Sequence, residues 1–225
     1  MRLETVDYRS GEPRDEIPRI IQISPLSVPC PPAIPELING RLASVWLSLR
    51  LQSLQSQWVE LLKLFDEGQF QEYQFRLESI LISMKRVIDD LIMCAYCIHE
   101  EAEISRTRKI LIDGWGMLFQ SGRATKLGNE IIFRFVGAYD SFPDILNDVV
   151  NAFKHSYLMP ESRMEWNEHF PLVRAIYAPR NNYGGIVKIH NHDMSELVLG
   201  FNKFVKQVVV KMHPQSVGGV MPLDF

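Results

Sequence analysis

The sequence predicts a mainly α protein: a helical bundle built around one long antiparallel helical hairpin, with a small β-hairpin near the C-terminus. Three observations carry this. Two long runs of apolar residues at three- and four-residue spacing are separated by a short break, a serine-proline-acid helix start stands near residue 142, and two β-rich runs flank an Asn- and Gly-rich turn near residue 183.

In chain order, residues 1–35 contain Pro13, Pro18, Pro25, Pro29, Pro31, Pro32 and Pro35. Each proline fixes φ and removes a backbone donor, which excludes a helix at that spacing. Ile17, Ile20, Ile21, Ile23, Leu26 and Val28 lie between them, so the segment reads as an extended arm that adheres to the body of the chain or to a partner. A helical-bundle domain follows over residues 36–212, and a tail over 213–225 is expected to fray.

Pro35 suits the first turn of a helix whose apolar residues recur at Ile38, Leu42, Val45, Leu49, Leu54, Trp58, Leu61 and Phe65. Asp66-Glu67-Gly68-Gln69 interrupts it. Phe70, Tyr73, Leu77, Leu81, Met84, Ile88, Leu91, Ala95, Ile98 and Ala102 then keep helical spacing. Helices near 36–66 and 69–103 joined by so short a turn are antiparallel neighbours, the second roughly 50 Å long. Trp46, Leu47, Leu51, Ile80 and Ile92 remain to be covered by other elements, which makes a bundle.

Residues 105–130 carry four glycines and a basic cluster and read as short helical pieces between loops. Ser141-Phe142-Pro143-Asp144 starts a helix that should run to about Leu158. Leu172 to Ala178 and Ile186 to His190 form the β-hairpin, and Asp193 or Ser195 can cap a last helix with Leu197, Phe201, Phe204, Val205 and Val208 on its apolar face.

Hydrophobic residues make up 46% and charged residues 23%, the mixture of a globular domain rather than a disordered or fibrous chain. A net charge of -3 argues against coating nucleic acid through an overall field, leaving only a local basic patch. Cys30, Cys94 and Cys97 are an odd set, which fits a reducing compartment, and a cytoplasmic location is expected. No apolar run approaches the roughly 20 residues of a membrane span, and residues 1–15 lack the apolar core of a secretory signal.

Within the 142–158 helix, Asn147, Asn151 and His155 fall at i, i+4 and i+8, beside Asp148 and Lys154 and opposite Ile145, Leu146, Val149, Val150 and Phe153. Asn147, Asn151, Lys154 and His155 are the candidate binding stripe; the alternative is a solvated face. Asn151-Ala152-Phe153-Lys154-His155 resembles the Asn-x-x-x-His end of the motif in HEPN domains, helical bundles often found as dimers. In ribonuclease members of that family an arginine precedes the polar residue, and the arginine and histidine act on the phosphodiester. Val150 stands there instead, and an isopropyl group can neither hold a phosphate nor stabilise developing charge. The resemblance therefore implies a non-catalytic or degenerate HEPN-like module, binding RNA or a protein partner in bacterial stress or defence, with a homodimer as the implied assembly. A ribonuclease using His155 and a structural interaction protein are the alternatives.

Three other groupings have the composition of a site. Arg163 and His169 are bracketed by Pro160 and Pro171 and read as loop. Cys94 and Cys97 have metal-ligand spacing, followed by His99, but sit inside a long helix without a second ligand pair, and read as structural thiols. In His190-Asn191-His192-Asp193, strand alternation turns both imidazoles to one side, although a cap-and-turn role for Asp193 is preferred to metal binding. No nucleotide-binding glycine loop, metalloprotease motif or nucleophile elbow is present, so neither metal nor cofactor is expected.

Overall fold

The structure, a computed structural model, describes residues 2–23, 26–34, 39–120, 123–137, 141–155, 170–179, 182 and 184–213. It is mainly helical with a small sheet, as expected. Two long helices, α1 (Gly40–Asp66) and α2 (Phe70–His99), form the hairpin. Their antiparallel register shows in side-chain pairs: Phe65 stacks at 6.0 Å from Tyr73, Arg76 pairs with Glu60 at 2.8 Å, and Ser79 bonds Gln57 at 3.2 Å. Nearer the start of α1, Arg50 pairs with Asp90.

The turn between them follows from its glycine. Gly68 takes a φ of +68°, which a side chain disfavours, and lets Gln69 N–H reach the Leu64 carbonyl at 3.0 Å and Gly68 N–H the Phe65 carbonyl at 3.3 Å. These bonds satisfy carbonyls that the helix end would otherwise leave open.

The stripe expected on α1 is corrected in its first half. Leu42, Val45 and Leu49 are about half exposed, and Trp46, expected to be covered, is 55% exposed. The buried line is Leu47, Leu51, Leu54, Trp58 and Leu61. The reason lies in the spacing: the step from Leu49 to Leu54 is five residues, which rotates the face by about 140°, whereas 47-51-54-58-61 keeps unbroken four-three spacing. On α2, Tyr73, Leu77, Leu81, Met84, Ile88, Leu91 and Ala95 are buried as expected, but Phe70 is half exposed. The helix ends at His99 rather than near 103, because Glu100 leaves helical geometry (φ -108°, ψ 28°), and Ala102 falls on a separate short helix, α3 (Glu101–Thr107).

After α3, the stretch read as helical pieces and loops also holds two paired two-residue strands, β2 (Phe119–Gln120) and β3 (Arg123–Ala124), before α4 (Lys126–Ile131) and a π-helical turn, Ile132–Val136. Helix α5 (Phe142–His155) precedes β4 (Leu172–Tyr177), β5 (Ile186–Asp193) and α6 (Met194–Met212). The hairpin of β4 and β5 is antiparallel as expected, with Ala175 opposite His190. A further strand was not foreseen: β1 (Arg2–Val6), in the proline-rich arm, pairs parallel with β5, so β5 is the middle strand of three. The tail beyond His213 lies outside the described residues. No helix among the described residues is long and apolar enough to cross a membrane.

The chain divides into two compact units, and α1, α2 and α6 each contribute to both. The first comprises Met1–Ser24, Leu51–Arg86 and Ser141–Asn202. Its core joins Trp58, Leu77 and Leu81 with Phe142, Leu146 and Phe201, and the arm contributes Tyr8, Ile17, Ile21 and Ile23, all buried. The second comprises Pro25–Arg50, Val87–Asp140 and Lys203–Phe225; there Trp115 meets Phe204 edge-on at 5.8 Å, and its backbone N–H donates to Asp89 at 3.0 Å.

One glycine in the first unit is fixed by packing. A Cβ on Gly200 of α6 would lie 2.6 Å from the Tyr8 hydroxyl and 2.7 Å from the Phe142 ring. Those two rings stack at 5.4 Å across it. Alanine raises helix propensity by about 1 kcal/mol over glycine, yet Gly200→Ala is expected to lower stability by about 1–3 kcal/mol through overpacking. Thermal unfolding measures this, and a raised midpoint would refute the close approach. The seam between the two helices gives a second expectation: Leu81→Ala on α2 should cost about 2–5 kcal/mol in urea denaturation, and Leu49→Ala on the exposed face of α1 no more than about 0.5 kcal/mol. Equal losses would mean that the α1 assignment is wrong.

Candidate functional site: a buried histidine pair and the polar face of α5

Alternation along β5 places His190 and His192 on one side of the sheet, as the spacing suggested. Burial was not foreseen. His190 is 0% and His192 1% exposed, and their rings meet with His190 Nδ1 3.1 Å from His192 Nε2.

The bonds around this pair fix its protons. Tyr8 N–H donates to His192 Nδ1 at 3.0 Å, so that nitrogen is unprotonated and the neutral ring carries its hydrogen on Nε2. His192 Nε2–H then donates to His190 Nδ1, which leaves the second ring's hydrogen on His190 Nε2. That atom has no hydrogen-bond partner among the described residues and stands 3.9 Å from Asp148 Oδ2. Asp148, on α5, is held by Lys188 Nζ at 2.5 Å. A one-way line thus runs from a backbone amide through two imidazoles toward a carboxylate.

Burial lowers the pKa of both rings, His190 to about 3 with His192 and Lys188 adding to the effect, and His192 to about 4 where Asp7 opposes and Arg9 assists. Burial raises that of Asp148, against the pull of Lys188. A second ring of contacts closes the site: Ser10 N–H and Oγ–H both donate to Glu196 Oε2, at 2.7 and 2.5 Å. Arg14 pairs with Asp193 at 3.3 Å, and Arg9 lies 3.7 Å from both Asp193 and Glu196. Asp193 directly precedes α6, and Glu196 lies in its first turn, where a carboxylate is favoured.

Both rings are buried. His192 holds Tyr8 to β5, and Asp193 and Glu196 hold Arg14 and Ser10 to the end of β5 and the start of α6. No group of three or more His, Cys, Asp or Glu among the described residues could hold a metal ion.

The predicted binding stripe is only partly brought together. Asn147 and Asn151 are half-buried and Lys154 is exposed, all on α5. His155 ends the helix, and its side chain lies outside what the structure describes, as do Arg163 and His169. Asp148, read from sequence as a flank of the stripe, instead turns inward to Lys188. Val150, beside Asn151 on the same helix, is 0% exposed. Cys94 and Cys97 are free and buried within α2, with burial pushing their thiols up to about 12 and about 11. These values keep both protonated near neutrality, in line with a packing role.

Comparison with protein-family models, curated proteins and solved structures finds no match. The chemistry of these side chains is then the ground for a functional reading. The histidines were visible in the sequence as an alternating pair; the recruitment of Tyr8 and Asp148 from distant segments left no local signal.

The histidine pair makes acid sensitivity predictable. Both folded values lie below the ordinary 6.5, so the unfolded chain binds more protons between about pH 6.5 and 3. Stability from the pair is complete above that window and falls as pH drops through it, by up to about 1.4 kcal/mol per pH unit for each proton. Asp148, raised rather than lowered, offsets part of the loss at the acid end. Urea unfolding at a series of pH values should show this slope, and His190→Gln with His192→Gln should remove most of it. An unchanged slope in the double variant would exclude the pair as its source.

Proposed function

We propose that the chain is a non-catalytic, HEPN-like binding module that takes RNA through Asn147, Asn151, Lys154 and His155. The observation that carries the reading is Val150: fully buried in the core, it occupies the position from which a ribonuclease of that family would present its guanidinium. Restoring an arginine there would bury a charge, which costs several kcal/mol unless paired. The exposed Lys154 and the two amides supply donors suited to phosphate and ribose oxygens without supplying acid-base chemistry.

Fluorescence anisotropy with a labelled single-stranded RNA tests the reading. Binding should weaken severalfold in Lys154→Ala, with the slope of log K against log salt reduced by roughly 0.7–0.9, since one phosphate contact is lost. Asn151→Ala should weaken binding without changing that slope. Unaltered affinity in both variants would leave α5 a solvated face. RNA cleavage by the wild type, abolished in His155→Ala, would replace this proposal with the ribonuclease.

A further inference from the structure

The second unit contains a cavity of about 640 Å³ that neither the α5 stripe nor the histidine pair uses. It follows from the rotated stripe of α1. Leu42 and Trp46, left half exposed, form its rim, while Leu47 of α1 and Met93 and Cys94 of α2 line it more deeply. Val28 and Pro31 of the arm contribute another wall. The volume is that of pockets which enclose drug-sized molecules, and the lining is mainly carbon and sulfur.

Its charge decides what it can take. Arg50 and Asp90 are the charged residues among the described lining, and they pair with each other, so the wall carries no net charge. The Cys94 and Cys97 thiols are neutral, as described above. The Ser44 hydroxyl already donates to the Val28 carbonyl at 2.5 Å. An anionic or cationic ligand would have to break the Arg50–Asp90 pair to find a counter-charge, and would lose its own hydration on entry. A neutral apolar molecule pays neither cost and gains by leaving water.

We propose that this cavity is a binding site for a neutral, largely apolar small molecule, held between α1, α2 and the Val28–Pro31 wall. It is independent of any RNA-binding role of α5.

The test is titration of the full chain with Nile Red, a neutral apolar dye, against 1-anilinonaphthalene-8-sulfonate, an anionic dye that is also largely aromatic. Nile Red should saturate at one per chain with blue-shifted emission, and bind at least tenfold more tightly than the sulfonate. Ala43→Trp, at an exposed position on the wall, should weaken Nile Red at least tenfold while leaving circular dichroism and the unfolding midpoint unchanged. If the indole unsettles α1, Leu42→Ser on the rim reads the same site and should weaken the dye in the same direction. The proposal is overturned by absence of dye binding, by equal affinity for the two dyes, or by wild-type affinity in a folded Ala43→Trp. Dye displaced as the chain self-associates in sedimentation would overturn it too, assigning the groove to a second copy instead.

Discussion

The unbroken four-three line of Leu47, Leu51, Leu54, Trp58 and Leu61 is the constraint on which most else depends. A helix can present only one such line to a neighbour, and α2 answers with Tyr73, Leu77, Leu81, Met84, Ile88, Leu91 and Ala95. Once that seam is chosen, the competing set of Leu42, Val45 and Leu49 must point elsewhere. Its partial exposure, and the cavity beside it, are consequences of the seam rather than separate features.

In the first unit a second constraint is polar. Two imidazoles inside an apolar core are best tolerated neutral and bonded; the Tyr8 backbone N–H and the ring-to-ring bond satisfy three of the four ring nitrogens, and His190 Nε2 is left facing Asp148 at 3.9 Å. The same Tyr8 ring packs on Phe142 across Gly200. Arm, sheet and α6 therefore meet through one residue that is at once a hydrogen-bond donor and an aromatic wedge. A cluster so closed serves the fold, even though a histidine pair beside an acid has the composition of a catalytic relay.

Helix α5 divides its groups between core and surface. Asp148 and Val150 face inward, to Lys188 and the core, while Asn147 and Asn151 lie at the boundary and Lys154 reaches solvent. The outward groups of α5 are therefore Lys154 and, at the boundary, the two amides, while Val150 is wholly in the core. The cavity in the second unit is of another kind, lined mainly by carbon and sulfur, and it shares no residue with the stripe.

The sequence by itself determined the helical class, the hairpin and its glycine-bearing turn, the start of α5 at the Ser141–Pro143 signal, and the antiparallel pairing of β4 with β5. Each is written in local spacing or in a residue with restricted dihedrals, so neighbours in the chain suffice to read it. It also placed His190 and His192 on one side of a strand. Tertiary structure supplied the partner helix that covers the 47-51-54-58-61 line of α1, whose unbroken spacing the competing set of Leu42, Val45 and Leu49 lacks. It decided that residues 2–6 form a strand parallel to β5, because such pairing joins segments more than 180 residues apart through backbone groups common to almost every residue. And it decided that Asp148 turns to Lys188 of β5 rather than joining the α5 stripe, because whether a carboxylate faces solvent or a neighbouring lysine depends on what packs against it.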